Sequence, residues 1–206
     1  MYKDFPKIHS PFIRKTIDGA YIVTPEIDED YKWVFEDDNV LAVDKIDGTN
    51  VCIEVVNGII GRIFNRMNEK HIFKLTNSTK WEGACMEGIS KAIQRGWLKD
   101  KEGFIYGELI GEIINSNRHK IQGHLFVPFD YLKRSCFWKS YIQNKYPKTF
   151  DSISEWFKEI PSLFNQRLGL PDIKAEGIVF YHPDGRKAKL RRDMFSWYNG
   201  DKHKQS

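Results

Sequence analysis

Only three cysteines occur in the 206 residues, Cys52, Cys85 and Cys136, widely spaced and without a CxxC pair. That spacing argues against a disulfide framework and a thiolate zinc site, and leaves reduced packing cysteines as the expectation. Six histidines are scattered along the chain, and no HxxxH or HExxH pair sets two rings on one helix face. No apolar run approaches the roughly 18 residues of a membrane helix. Met1–Lys7 carries charges and a proline where a signal peptide needs an apolar core, so the expected location is cytoplasmic, with no membrane contact. An excess of one charge sign is missing as well: 32 basic and 28 acidic side chains leave +4. A histone-like polycation is excluded, and any nucleic-acid surface must come from local clustering. Internal repeats and low-complexity linkers are absent, which favours one continuous domain over 1–206.

What is present is apolar and aromatic material, 41% and 14% of the residues, enough for a chain of this size to bury about 70% of the surface it exposes unfolded. The clearest pattern runs from 39 to 66. Asn39-Val40-Leu41-Ala42-Val43 reads as a short apolar strand, Asp44–Asn50 as a polar loop, and Val51–Val56 alternates towards Asn57-Gly58. That dipeptide is the strongest two-residue hairpin signal because both positions tolerate positive φ, and Ile59 begins the partner strand. Apolar residues at three- and four-residue intervals predict an amphipathic helix from Ser78 to about Lys99, weakened by Gly83, Gly88 and Gly96. Phe104–Gly111 and His124–Tyr131 read as strands, with Pro128 marking an edge or bulge. Asp151–Phe164 has helical spacing, with Asp151 or Ser152 as cap and Pro161 as interruption, and Gly177–Tyr181 with Ala188–Leu190 closes a hairpin around Pro183-Asp184-Gly185. The fold class is α+β, with mainly antiparallel sheets and flanking helices.

Several charged residues sit where burial makes them chemically interesting. Lys45 ends an apolar strand; desolvation favours a neutral amine there, which is a nucleophile towards carbonyl or phosphoryl centres. Glu108 stands inside the apolar run Gly107–Leu109, and Glu176 precedes Gly177-Ile178-Val179-Phe180. An unpaired carboxylate in either place would cost several kcal/mol, so each needs a partner. Lys187 and Lys189 alternate with Ala188 and Leu190, which puts both lysines on one face of a strand. Salt bridges alone would account for any single pair.

Taken together, KIDGTN (45–50), YGELIG (106–111), AEGIVF (175–180) and KAKLR (187–191) resemble the motifs of the covalent lysyl-nucleotide transferases: ATP-dependent RNA and DNA ligases and messenger-RNA capping enzymes. Asn50, where DNA ligases and capping enzymes usually carry arginine, is similar to the RNA ligase 2-like group of phages and their relatives. The resemblance implies a nucleotidyltransferase domain of the ligase adenylation type, related in style to ATP-grasp folds. A minimal DNA ligase, a capping-type guanylyltransferase and a non-catalytic RNA-binding module of the same fold are the alternatives.

By the same resemblance Lys45 attacks the α-phosphorus of ATP and becomes lysyl-AMP, AMP passes to an RNA 5′-phosphate, and a 3′-hydroxyl displaces it. Lys187 and Lys189 would stabilise the α-phosphate. Glu176 would contact Mg²⁺, or Mn²⁺ in its place, through water; Glu108 would accept from the ribose; Asp44 would read the adenine amino group, although the family often has glutamate there. Ile46 and Asn50 belong to the same nucleotide-binding loop. Phe129 is the first choice and Phe126 the second for the aromatic that stacks on the purine. A basic residue on the return strand should bind phosphate: a two-residue turn sets Arg66 opposite Thr49 and Arg62 opposite Ile53. Arg66, nearer the lysine's loop, is preferred. The last motif ends about fifteen residues before Ser206. The expectation is therefore a monomer without a separate carboxyl-terminal domain, whose grip on RNA ends involves an accessory protein or domain, acting in the host cytoplasm if phage- or virus-encoded.

Overall fold

Every strand pairing among the described residues is antiparallel. The computed structural model describes residues 5–65, 68–70, 80–139 and 148–199. In chain order the strands are β1 (Phe12–Ile17), β2 (Ala20–Ile27), β3 (Leu41–Lys45), β4 (Thr49–Val56), β5 (Ile59–Asn65), β6 (Asn68–Lys70), β7 (Gly103–Gly111), β8 (His124–Pro128), β9 (Gly177–Tyr181) and β10 (Lys187–Arg191). The helices are α1 (Trp33–Glu36), α2 (Lys80–Gln94), α3 (Phe129–Ser135), α4 (Phe150–Glu159) and α5 (Leu163–Leu168). They group into two compact units. The first holds residues 7–45, 136–163 and 172–199; the second holds 46–135 and 164–171 with Phe5 and Pro6.

The first unit contains the β1-β2 hairpin and a three-stranded sheet in the order β10-β9-β3. Residues 136–138 run beside β3, joined to it by Asp44 N–H to Cys136 O (2.8 Å) and Trp138 N–H to Ala42 O (3.0 Å). Its core is aromatic-rich, with Phe12, Trp33, Phe35, Trp138, Phe157, Phe180 and Phe195 around Ala42, Ile178, Ala188 and Leu190. Helix α4 begins two residues earlier than the nearer of its cap signals, Asp151, suggests: Thr149, with extended backbone, is the cap residue, and its hydroxyl donates to Ser152 at 2.8 Å. Pro161 separates α4 from α5, where the spacing alone continued one helix.

The second unit is a five-stranded sheet, β6-β5-β4-β7-β8, covered on one face by α2. Val51, Ile53, Ile63, Ile105, Leu109 and Phe126 meet Ala84, Cys85, Ile89 and Ala92 of the helix in its core. Gly88, which lowers helix propensity, is what lets α2 approach: a Cβ there would lie 2.7 Å from Leu109 Cδ1 and 2.9 Å from the Phe126 nitrogen. The helix stops at Gln94, short of the expected end, because Gly96 (φ +72°) takes the left-handed conformation that returns N–H groups to the last carbonyls. Pro128 lies, as expected, on an edge strand. It also ends that strand, and Phe129–Tyr131, read from sequence as strand, open α3 instead. All three cysteines are buried thiols outside any disulfide.

Candidate active site

In the first unit strand register alone assembles a cationic face. Lys45 lies opposite Gly177, and Gly177 opposite Arg191; Val43, Val179 and Lys189 form the next row, and Leu41, Tyr181 and Lys187 the third. Residues directly opposite one another share a face of a sheet. Lys45, Lys187, Lys189 and Arg191 therefore stand on one face, while Ala42, Asp44, Ile178, Phe180, Ala188 and Leu190 on the other are buried. Gly177 is required by this packing, because a Cβ there would come within 2.2 Å of Leu190 O.

Glu176, immediately before β9, has the partner its position demanded. Its Oε2 accepts from Lys45 Nζ at 2.7 Å, with the two side chains only 14% and 20% exposed. Arg191, which the sequence reading left unassigned, pairs with Asp193 at 3.1 Å, and its Nε is buried with no hydrogen-bond partner among the described residues. Asp44 lies on the rear face, 1% exposed, and its Oδ2 accepts from Ser162 Oγ at 2.8 Å. A contact with adenine would therefore compete with an internal hydrogen bond.

In the second unit β4 and β7 place Asn50 opposite Glu108, next to the Cys52–Tyr106 row. These residues occupy the sheet face away from α2. Asn50 Oδ1 is buried and, among the described residues, has no hydrogen-bond partner. Phe129, half-buried, packs against Phe5 with ring centroids 4.7 Å apart, and Phe5 also meets Tyr106. Phe126 is wholly inside the core, which removes the second-choice stacking residue. The Ile46 side chain is likewise buried, leaving its backbone for any ligand.

The expected hairpin register needs one correction. Asn57 (φ +52°) and Gly58 (φ +74°) form the turn and Val56 pairs with Ile59, but Gly61 is an extra, bulged residue. Arg62 consequently faces Glu54 and not Ile53. The guanidinium grips that carboxylate through Nε and Nη2, at 2.5 and 2.8 Å, and holds Glu54 below its ordinary pKa. This pairing competes with the phosphate role considered for Arg62. Arg66 lies outside the described residues.

Sequence reasoning missed the residues that hold the loop after Lys45. Asp47 N–H donates to His119 Nε2 at 2.9 Å; His119 Nδ1 meets Asn165 Oδ1 at 2.7 Å; and Asn115 Nδ2 donates to Asp47 Oδ1 at 2.7 Å. Gly48 lies so close to β7 that a Cβ would be 2.6 Å from Leu109 O, which accounts for glycine in the motif. The only advance signal was the polar run Asn115-Ser116-Asn117, whose two asparagines adopt positive φ. Nothing local marked His119 or Asn165, 46 residues apart.

The RNA ligase family model matches residues 38–196, from just before β3 to just past β10. The chain belongs to the RNA ligase family. Among solved structures, this chain is similar to an apo lysine-to-alanine variant of Naegleria gruberi RNA ligase, with TM-score 0.50 and 18% identity over 91% of this chain and 61% of the other. A second Naegleria gruberi RNA ligase variant, with AMP and Mn, matches with TM-score 0.50 and 18% identity over 89% of this chain and 59% of the other. The chain thus spans about three fifths of the length of these structures, and the likeness concerns the fold. A search of curated proteins finds no match.

Each unit by itself carries groups that suit part of a nucleotide or a hydrated metal. The unpartnered Asn50 Oδ1 beside Glu108 wants a donor, which a ribose hydroxyl supplies, and the cationic face suits phosphates. Among the described residues no group of three or more His, Cys, Asp or Glu could cage a metal ion. One carboxylate, Glu176, near a cationic face would suit Mg²⁺, which keeps most of its waters and binds through one or two carboxylates plus phosphate.

Proposed function

We propose that this chain is an ATP-dependent RNA ligase that joins 5′-phosphate and 3′-hydroxyl ends through lysyl-AMP and adenylated RNA. The observation that carries the reading is the single sheet face bearing Lys45, held by Glu176, with Lys187, Lys189 and Arg191 on neighbouring strands. For attack, the Lys45 amine must be deprotonated and leave its contact with Glu176. A nitrogen–phosphorus bond then forms at the α-phosphorus as the bond to pyrophosphate breaks. Charge develops on the phosphate oxygens, and the fixed cations of β10 stabilise it. Mg²⁺, held by Glu176 through water, would add Lewis-acid neutralisation of that charge. Glu108 and Asn50 bind the ribose, Phe129 stacks on the purine, and Asp44 together with the Ile46 backbone faces the base edge. Arg66, and Arg62 once released from Glu54, remain the choices for a further phosphate contact.

RNA ends are the polynucleotide substrate, with an accessory protein or domain supplying grip on them, and the ligase acts in the cytoplasm as a monomeric adenylation domain. Incubation with Mg²⁺ and α-labelled ATP, or separately α-labelled GTP, tests the reading. Label from ATP that survives denaturation and vanishes in Lys45→Ala is the expected result. GTP labelling would indicate a capping-type enzyme, and folded, AMP-free protein that takes up neither label would remove the proposal.

A further inference from the structure

The segment between β7 and β8 is a clasp, not a passive connection. Residues 112–123 are tied by Ile114 N–H to Gly111 O (3.0 Å), Asn117 N–H to Ile114 O (3.1 Å) and Lys120 N–H to Asn117 O (2.9 Å). The Asn117 side chain spans the same loop, donating to Ile121 O at 2.9 Å and accepting from Ile121 N–H at 3.0 Å. This rigid loop presents two side chains to the backbone after Lys45. Asn115 reaches Asp47 Oδ1 and, at 3.3 Å, Gly48 O, while His119 takes the Asp47 N–H.

The chemistry of the partners fixes the protonation of His119. A backbone N–H can only donate, so Nε2 must be the unprotonated acceptor and the ring proton must sit on Nδ1. Nδ1–H then needs an acceptor, and Asn165 provides one. The orientation of its amide is set independently, because Nδ2 donates to Pro171 O at 2.8 Å and to His119 O at 3.4 Å, leaving Oδ1 to face the ring. Phe164 packs edge-on against the imidazole. His119 is 2% exposed and Asn165 is fully buried. An arrangement this enclosed and this directional specifies one position for the Asp47 amide.

We infer that His119, oriented by Asn165, is a positioning residue for adenylyl transfer: it locks the backbone of the Ile46-Asp47-Gly48 loop directly after the nucleophile. The assignment rests on the ligase reading above. Losing the acceptor frees the Asp47 N–H, and the loop relaxes while both cores of the protein stay intact. Displacements of about 1 Å at a reacting centre cost on the order of 100-fold in rate.

The test is the single-turnover rate of Lys45 labelling by α-labelled ATP with Mg²⁺, across ATP concentrations, in the full chain and in His119→Ala, His119→Gln and Asn165→Asp, each with a melting curve. At saturating ATP, His119→Ala should be slower by tenfold to about 100-fold. His119→Gln, whose side-chain carbonyl can accept the Asp47 N–H, should recover most of that loss. Asn165→Asp favours a doubly protonated ring that cannot accept, and should resemble His119→Ala. A purely structural role would lower the melting temperature of His119→Ala and His119→Gln alike without separating their rates. Equal rates for folded His119→Ala and the native chain, or no recovery with glutamine, would overturn the assignment. A native chain that takes no label would overturn the ligase reading and this assignment with it. If His119→Ala does not fold, the rate gap between native and glutamine chains on one side and Asn165→Asp on the other decides the same question.

Discussion

Single residues show how burial sets chemistry here. Cys85 sits on the buried face of α2, and burial pushes its thiol up to about 12. It should resist thiol reagents in the folded protein at pH 8 and react only with unfolding; rapid native-state labelling at Cys85, mapped by mass spectrometry, would contradict this. Gly48 illustrates the opposite limit, where no side chain fits. Gly48→Ala must push against Leu109 O and Ile110 Cγ2, at 2.6 and 2.7 Å, and should lower unfolding free energy by about 1–3 kcal/mol in a denaturant titration.

His182 is a third case, held between two carboxylates, Asp37 and Asp184, each 2.8 Å from a ring nitrogen. The hydrogen bond to Asp37, then that to Asp184, raises its pKa above the ordinary 6.5. The hydrogen bonds from Asn39 and His182 bring Asp37 down to about 2, and those around Arg186 and His182 do the same for Asp184. A raised histidine stabilises the fold fully below 6.5 and ceases to do so as pH climbs through its folded value; a lowered aspartate stabilises above 3.8 and ceases to as pH drops towards 2. The cluster therefore contributes most between these ordinary values. An NMR titration should put the His182 midpoint above 6.5, and Asp37→Asn should bring it down; a native midpoint at or below 6.5 refutes the pairing.

At the scale of elements, the β4-β5 hairpin shows where pattern reading succeeds and where it slips. Asn57-Gly58 determined the turn, since few other dipeptides adopt two positive φ values, but Gly61 inserted a bulge that no alternation revealed. One extra residue was enough to turn Arg62 from a neighbour of Ile53 into the partner of Glu54. Helix α2 is fastened to β8 by Glu87, whose Oε2 meets His124 Nδ1 at 2.7 Å while Oε1 meets Lys91 at 2.6 Å. The bond from Lys91, then that from His124, lowers Glu87 to about 2. This fastening operates above the ordinary 4.5 and is lost as pH falls through the folded value. Glu87→Gln should cost about 1 kcal/mol at pH 7 and flatten the acid limb of the stability curve below pH 4.5. An unchanged acid limb would show that the latch contributes nothing.

For the molecule as a whole, two separate cores divide the work. One carries Lys45, the proposed nucleophile, and its neighbouring cations on an aromatic-backed sheet, and the other carries Asn50, Glu108, Phe129 and the clasp around Asp47. Lys189→Ala removes a cation from the face that carries Lys45 without touching the core side of β10, where Ala188 and Leu190 pack. It should lower Lys45 labelling by about 100-fold or more while leaving the melting temperature nearly unchanged. Labelling at the native rate would place Lys189 outside the reaction.

The sequence by itself determined β3 to β5 and β7 to β10 in outline, the turn and the four motifs, because period-two burial and positive-φ dipeptides are local physics that neighbouring residues express; β1, β2 and β6 were not read from it. It also determined that Lys187 and Lys189 share a face, since alternation along a strand needs no partner. What only the tertiary structure decided was every relation between distant segments: Lys45 on Glu176, 131 residues apart, Arg62 on Glu54 through a bulge, and His119 with Asn165 beneath Asp47. Hydrogen bonds and ion pairs are directional and short-ranged, so their partners are chosen by register and loop closure, which no window of sequence contains.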